Sequence, residues 1–256
     1  MNQFAVNILT AQKGKTHLFY AGQAGFILKS KSGQTLAIDL YLSDCGERFE
    51  GNIGFKRLLP RILNPQEVMF DHIIATHPHF DHYDVDSMPF LMSNPATCLF
   101  ASVDCKKFVD ASALDEKRVT YVRPSDSQMA GDFNLHFINC DHGKLAPDAV
   151  GVIIEVDKKR ILVAGDTCLR LDRKPEYLSK GPIDIMIAPI NGAYGNLDEN
   201  DCVELCEALR PAMTIPCHYG LFARHKGLPG LFMEIMEKKC PGQKYLLMTM
   251  GEHITI

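Results

Sequence analysis

The sequence predicts an α/β (α+β) protein built as a sandwich of two mixed β-sheets with helices on the outer faces. Short β-branched apolar runs, bounded by Gly, Asp or Pro, recur in two groups, each followed by helical segments and without regular βαβ alternation. Nearly every polar cluster falls just after such a run, where loops at strand ends can present side chains to a common point. The 256 residues, 46% hydrophobic and 23% charged, suit one domain spanning residues 1–256 with a large core.

Taken in order, residues 25–29 and 35–40 flank Ser32-Gly33 and read as a hairpin. Residues 73–76, 98–101 and 119–122 follow as strands. Phe133, Leu135 and Phe137 alternate with polar neighbours, so 132–139 reads as a half-buried strand. Residues 150–156 and 160–164 flank Asp157-Lys158-Lys159, a second hairpin. Residues 183–189, 213–216 and 244–248 read as strands, and 253–256 closes the set. Helices are expected over 102–113, 198–209 and 228–239. Asp198 suits an N-cap, with acidic residues in the first turn and Arg210-Pro211 at the exit. No repeat, low-complexity tract or linker is visible.

A net charge of −4 argues against a nucleic-acid partner held on a broad basic surface. No apolar run reaches 18 residues, so no membrane-spanning helix is expected. The first residues, Met1-Asn2-Gln3-Phe4-Ala5-Val6, lack the basic and apolar regions of a signal peptide. Nine scattered cysteines form no C-x-x-C pair. Cys202 and Cys206, four apart on one helix face, read as a buried apolar pair rather than half a zinc site. Free thiols without an export signal predict the cytoplasm.

The chemistry concentrates in T-H-P-H-F-D-H-Y, residues 76–83, directly after the apolar run His72-Ile73-Ile74-Ala75. His77, His79, Asp81 and His82 crowd one tight turn with no packing rationale, and such groups repel when charged unless a cation sits between them. Three later segments repeat the pattern of apolar run, then His or Asp, then a small residue: Asp141-His142-Gly143, Gly165-Asp166-Thr167 and His218-Tyr219-Gly220. Ahead of them all, Leu36-Ala37-Ile38 ends at Asp39.

This series, from Asp39 to the last strand, resembles the metallo-β-lactamase superfamily of metal-dependent hydrolases. The resemblance implies the αββα metallo-β-lactamase fold, with the site along one edge between the sheets. It makes His77, His79 and His142 ligands of one divalent metal and Asp81, His82 and His218 ligands of a second. Asp166 would bridge both, Asp81 and Asp166 would be the catalytic carboxylates, and Asp39 would support the turn by hydrogen bonding. Two half-sites sharing a carboxylate leave room for a water, which two cations acidify. His17, His72, His136, His225 and His253 lack comparable context and read as structural.

Within the superfamily, A-P-I-N-G-A-Y-G-N-L-D over 188–198, a helix, and then P-C-H-Y are similar to the L-ascorbate-6-phosphate lactonase branch. That likeness implies a cytoplasmic, homo-oligomeric, manganese-using enzyme that opens the lactone of a phosphorylated sugar acid. Histidine and carboxylate donors also suit zinc, which binds more tightly at most such sites. Ala223-Arg224-His225-Lys226-Gly227 departs from the branch's acidic or asparagine-bearing version. Arg224 and Lys226 are candidates for a phosphate contact, Asn191 and Tyr194 for other substrate contacts, and Tyr219 for donation to a developing oxyanion. The expected function is metal-dependent hydrolysis of a small lactone or ester. The alternatives are a phosphodiesterase of the same superfamily and a non-catalytic metal-binding module.

Overall fold

The computed structural model describes residues 1–51, 54–144 and 146–256. The first group of strands is β1 His17–Gly22, β2 Gly25–Lys29, β3 Thr35–Ile38, β4 His72–Ala75, β5 Cys98–Ser102 and β6 Val119–Val122. The second is β7 Ser127–Ala130, β8 Phe133–Asn139, β9 Val150–Val156, β10 Lys159–Val163, β11 Ile185–Pro189 and β12 Met213–Cys217. A last strand, β13 His253–Thr255, returns to pair antiparallel with β1. The sheets therefore run β13-β1-β2-β3-β4-β5-β6 and β12-β11-β10-β9-β8-β7, both mixed.

Period-two alternation explains the layering. Phe26 and Leu28 of β2 point into a core shared with Phe133, Leu135 and Phe137 of β8 and Val152 and Ile154 of β9, between the sheets. Ile27 points the other way, with Phe19, Ala37 and Ile73, beneath helices α1 Gln3–Thr10, α3 Met88–Leu91 and α4 Lys106–Ala111, whose Phe4, Met88 and Val109 belong to this second cluster, while α2 Cys45–Glu50 packs through Cys45 in a separate cluster with Tyr41, Phe55 and Phe222. Ile153, Leu162 and Met186 face outward from the second sheet. They meet α5 Lys174–Tyr177, α6 Glu199–Leu209 and α7 Pro229–Lys239 through Tyr177, Leu205 and Phe232. The order of layers is thus helix, sheet, sheet, helix.

Both expected hairpins form. Phe26 pairs with Ile38 and Lys29 with Thr35. At the second turn Asp157 (φ 50°) and Lys158 (φ 70°) both take the left-handed conformation that a two-residue hairpin turn needs. Asp198 caps α6: its side chain accepts from the Asp201 amide, and the Asp201 carboxylate accepts from the Asp198 amide. Cys202 and Cys206 are buried on that helix as an apolar pair, and all nine cysteines are unpaired.

Some expectations are corrected. Residues 244–248 form no strand. Among the described residues its one backbone partner is Thr214, whose amide donates to the Lys244 carbonyl and whose carbonyl accepts from the Leu246 amide, and the Met248 carbonyl accepts from the Tyr219 hydroxyl instead of a ladder partner. The helix expected over 102–113 begins later, because Ser102 still belongs to β5 and its hydroxyl caps a 3₁₀ turn at Val103–Cys105 before α4. Strands β1 and β7 and helices α1, α2, α3 and α5 were not foreseen, although His17–Gly22 is an apolar run buried throughout. Among the described residues no helix is long and apolar enough to cross a membrane.

Candidate metal centre

Strands β3 and β4 are parallel, as are β10, β11 and β12, so the residues that follow them emerge along one edge of the sandwich. Asp39 follows β3, the 76–82 turn follows β4, His142 follows β8, Asp166 follows β10 and His218 follows β12. The turn is tight because the His82 and Tyr83 amides both donate to the His79 carbonyl. It is anchored by Asp84, fully buried, whose carboxylate accepts from the Leu42 and Ser43 amides and the Ser43 and Ser87 hydroxyls.

The structure brings all seven candidate ligands together. His79 Nδ1 lies 3.0 Å from both His77 Nε2 and His142 Nε2. His218 Nε2 lies 3.3 Å from His82 Nε2, from Asp81 Oδ2 and from Asp166 Oδ2. Asp166 Oδ2 also lies 3.4 Å from His82 Nε2 and 3.7 Å from His142 Nε2, which places one carboxylate between two sets of donors. Three groups have ligand atoms within 4.8 Å of one another: His77, His79 and His142; His77, His82 and Asp166; and Asp81, His82 and His218. Three imidazole nitrogens around one point cannot all be satisfied by the few protons available to them, whereas a cation satisfies every lone pair. The donor set therefore fits divalent metal.

Surrounding groups fix the ligands. His82 Nδ1 donates to Asp39 Oδ2 at 2.7 Å, so Nε2 is turned into the site and, in the neutral ring, presents its lone pair there. Asp39 also accepts from the Thr76 amide and hydroxyl. Asn196 Nδ2 donates to Asp166 Oδ2 at 2.7 Å and to Asn191 Oδ1 at 3.1 Å. Gln23 Nε2 donates to Asp81 Oδ2 at 2.8 Å and lies 2.7 Å from His225 Nδ1, while the Gln23 carbonyl accepts from the His218 amide. Gln23, Asp39, Tyr194 and His218 are all non-glycine residues at φ between 47° and 65°, so backbone strain is concentrated at this edge. Gly165 (φ 69°) is required before Asp166, since a Cβ there would meet Cys140 Sγ at 2.7 Å and the Val150 carbonyl at 2.9 Å.

The charges divide unevenly without metal. Burial, with the positive charge of His82 next, holds His77 well below its usual value; burial also lowers His79 and takes His142 to about 4. Burial alone would lower His218 too, but the carboxylates of Asp166 and Asp81 raise it to about 9, and His82 is likewise raised by Asp166 and Asp39. Burial would raise Asp166 and Asp81, yet the His82 and His218 cations hold both well below the carboxylate range. Protons on His82 and His218 therefore stand in for the cation in the metal-free protein. A histidine raised from 6.5 to about 9 contributes stability that is complete below pH 6.5 and lost as pH rises through 9. Chelated protein should accordingly lose melting temperature between pH 6.5 and 9. A flat melting profile of EDTA-treated protein across that window would show that these protons do not hold the site together.

Above the ligands is a cavity of about 140 Å³, bounded by His79, Asp81, His142, Asp166 and His218 and walled by Glu50, Phe55, Phe80, Tyr194, Asn196 and His225. Tyr194, a candidate substrate contact, lines this cavity. Asn191 is buried behind Asn196 and supports it. The other expected contacts are not brought there. The Tyr219 hydroxyl donates to the Met248 carbonyl at 3.0 Å, which commits it away from the ligands. Arg224 has its amide bonded to the Gly54 carbonyl, and Lys226 lines a separate hollow beyond His225. His225, read from sequence as structural, instead stacks on His218 at 4.8 Å and closes one side of the cavity. Gln23, Asp84 and Asn196 had no assigned role. Gln23 has no metal-binding signature of its own, whereas His225 could have been suspected from Phe222 and the ligand His218 close before it.

Residues 17–218 match the beta-lactamase superfamily domain, and the chain belongs to that family. Among curated proteins it is similar to a UPF0173 metal-dependent hydrolase of Aeropyrum pernix, 25% identical over 250 residues that cover 92% of this chain and 95% of that one. Among solved structures it resembles a possible metal-dependent hydrolase from Veillonella parvula, with a TM-score of 0.75, 19% identity and coverage of 96% and 100%. A metallo hydrolase from the hyperthermophilic archaeon Ignicoccus hospitalis superposes with a TM-score of 0.73, 21% identity and coverage of 94% and 98%. At these identities the structural likenesses establish the metallo-β-lactamase fold, and the particular reaction has to be argued from the site.

Proposed function

We propose that the protein is a metal-dependent hydrolase, acting as one domain, that opens the ester bond of a small lactone. The observation that carries this reading is the grouping of two donor sets, His77, His79 and His142 against Asp81, His82 and His218, about Asp166 at the floor of a small cavity. Similarity to curated metal-dependent hydrolases over most of the chain supports it. Divalent cations bound there, manganese or zinc by donor type, would supply Lewis-acid polarisation of a carbonyl and lower the pKa of water. Cys140 and Cys217 lie outside the donor groups, and the Cys140 thiol donates to the Ala164 carbonyl instead. Nine unpaired cysteines support placement in the reducing cytoplasm.

The chain's own residues supply orientation and proton handling. Asp39 holds His82 in one tautomer, and Asn196 and Gln23 hold the Asp166 and Asp81 carboxylates facing the cavity. Those two carboxylates are the acceptors within reach of a proton lost by an attacking water. Phe55, Phe80 and Tyr194 exclude bulk solvent from the reacting carbonyl. The test offers metal-replete protein δ-valerolactone and, separately, bis(p-nitrophenyl) phosphate. Lactone opening is expected. Turnover of the phosphodiester alone would replace this reading with a phosphodiesterase, and turnover of neither would leave a metal-binding module.

A further inference from the structure

The cavity wall carries information about the substrate that the ligands do not. Phe55 meets Phe80 edge-on at 5.4 Å and His225 edge-on at 5.6 Å, and Tyr194 lies 6.3 Å from Phe55 and 5.7 Å from His225. Behind them, buried Phe222 and Tyr41 pack at 5.3 Å, and Phe222 lies 5.9 Å from both Phe55 and Phe80, so the wall is a packed aromatic block. Tyr194 is 57% exposed and sits at φ 56°, a strained placement for a large ring on the surface. That placement is explained if the ring covers a bound group.

Among the described residues no Lys or Arg lines this cavity, and Glu50 at its mouth is the one charged side chain besides the candidate ligands. Aromatic faces carry negative quadrupole potential, and Glu50 adds a negative charge. An anionic substituent resting on this wall would meet Glu50 and no cationic side chain to pair with it.

From this wall we propose that the protein acts on small uncharged lactones or esters bearing a compact apolar or single-ring aromatic substituent, which packs against the surface formed by Phe55, Tyr194 and His225, rather than on phosphorylated sugars. The proposal rests on the hydrolase reading above. In the reaction the oxygen of water bonds to the acyl carbon, the acyl–oxygen bond breaks, and the leaving oxygen takes up a proton lost by the water. A lactone thereby gives one hydroxy acid.

The experiment compares two δ-lactones carrying, at the same ring carbon, a phenyl group or a phosphate monoester, with metal-loaded protein. The phenyl lactone is expected to have a kcat/KM at least about tenfold higher. Tyr194→Ala should lower that value about tenfold, mainly through KM, and Glu50→Lys should raise the phosphate lactone's. Equal or faster opening of the phosphate lactone, or an equal loss on both lactones in Tyr194→Ala, overturns the proposal. If neither lactone opens, the hydrolase reading fails, and calorimetry with the two corresponding lactams decides the pocket separately. Tighter binding of the phenyl lactam supports it; equal or tighter binding of the phosphate lactam overturns it.

Discussion

Asp166→Ala is expected to abolish lactone opening, with a loss on the order of 10³-fold or more, and to strip metal from the protein. The magnitude follows from position. A carboxylate shared between two cation sites contributes to both, and metal-based stabilisation of a transition state is worth several kcal/mol, at roughly tenfold in rate per 1.4 kcal/mol. Asp166 Oδ2 lies within 3.7 Å of nitrogens from His82, His142 and His218, one or more from each donor set. Its loss would also leave His82 and His218, raised as cations by that carboxylate, facing each other with their Nε2 atoms 3.3 Å apart. Elemental analysis beside steady-state kinetics checks both parts. Full metal content with unchanged turnover would sink the assignment of Asp166 as the shared ligand.

Asp39→Asn should cost about 10- to 100-fold in metal affinity or turnover, although Asp39 makes no contact with the cavity. The carboxylate accepts at both oxygens: Oδ1 from the Thr76 amide, Oδ2 from the Thr76 hydroxyl and His82 Nδ1. An amide can replace only one of them. If its NH₂ faces Thr76, two N–H groups oppose each other in a buried site. If it faces His82, the ring must accept at Nδ1 and carry its proton on Nε2, where the lone pair for metal is needed. Metal titration of the variant followed by calorimetry distinguishes this from general unfolding, because the folded variant should still bind metal, only more weakly. Wild-type affinity in the variant would show that Asp39 does not control the His82 tautomer.

The grouping of the candidate ligands was legible in the sequence because each follows a recognisable apolar run and the first four crowd one turn. His142, Asp166 and His218 could be paired with that turn by order alone, and the parallel runs of β3 with β4 and of β10 with β12 explain why order sufficed. Roles that depend on which way a side chain leaves a loop were not legible. Tyr219 adjoins a ligand but turns its hydroxyl to Met248, whereas His225, seven residues past that ligand, folds back onto it. Gln23 reaches Asp81 across 58 positions of sequence, a contact that no local pattern encodes. The same limit explains residues 244–248, whose apolar character reads as a strand although, among the described residues, Thr214 is their one backbone partner.

The candidate ligands come from both layers of the sandwich: the 76–82 turn from one sheet, His142, Asp166 and His218 from the other. At this edge direct ties between the layers include the Val150 amide to the Thr76 carbonyl and the His218 amide to the Gln23 carbonyl. A cation held between the sheets would act as a removable rivet, binding the folded chain and not the unfolded one. Its free concentration would then enter the folding equilibrium by mass action, at about 2.7 kcal/mol for a hundredfold excess over the dissociation constant. Supply of metal to the cell would in this way govern how much folded protein persists, as well as how fast each copy works.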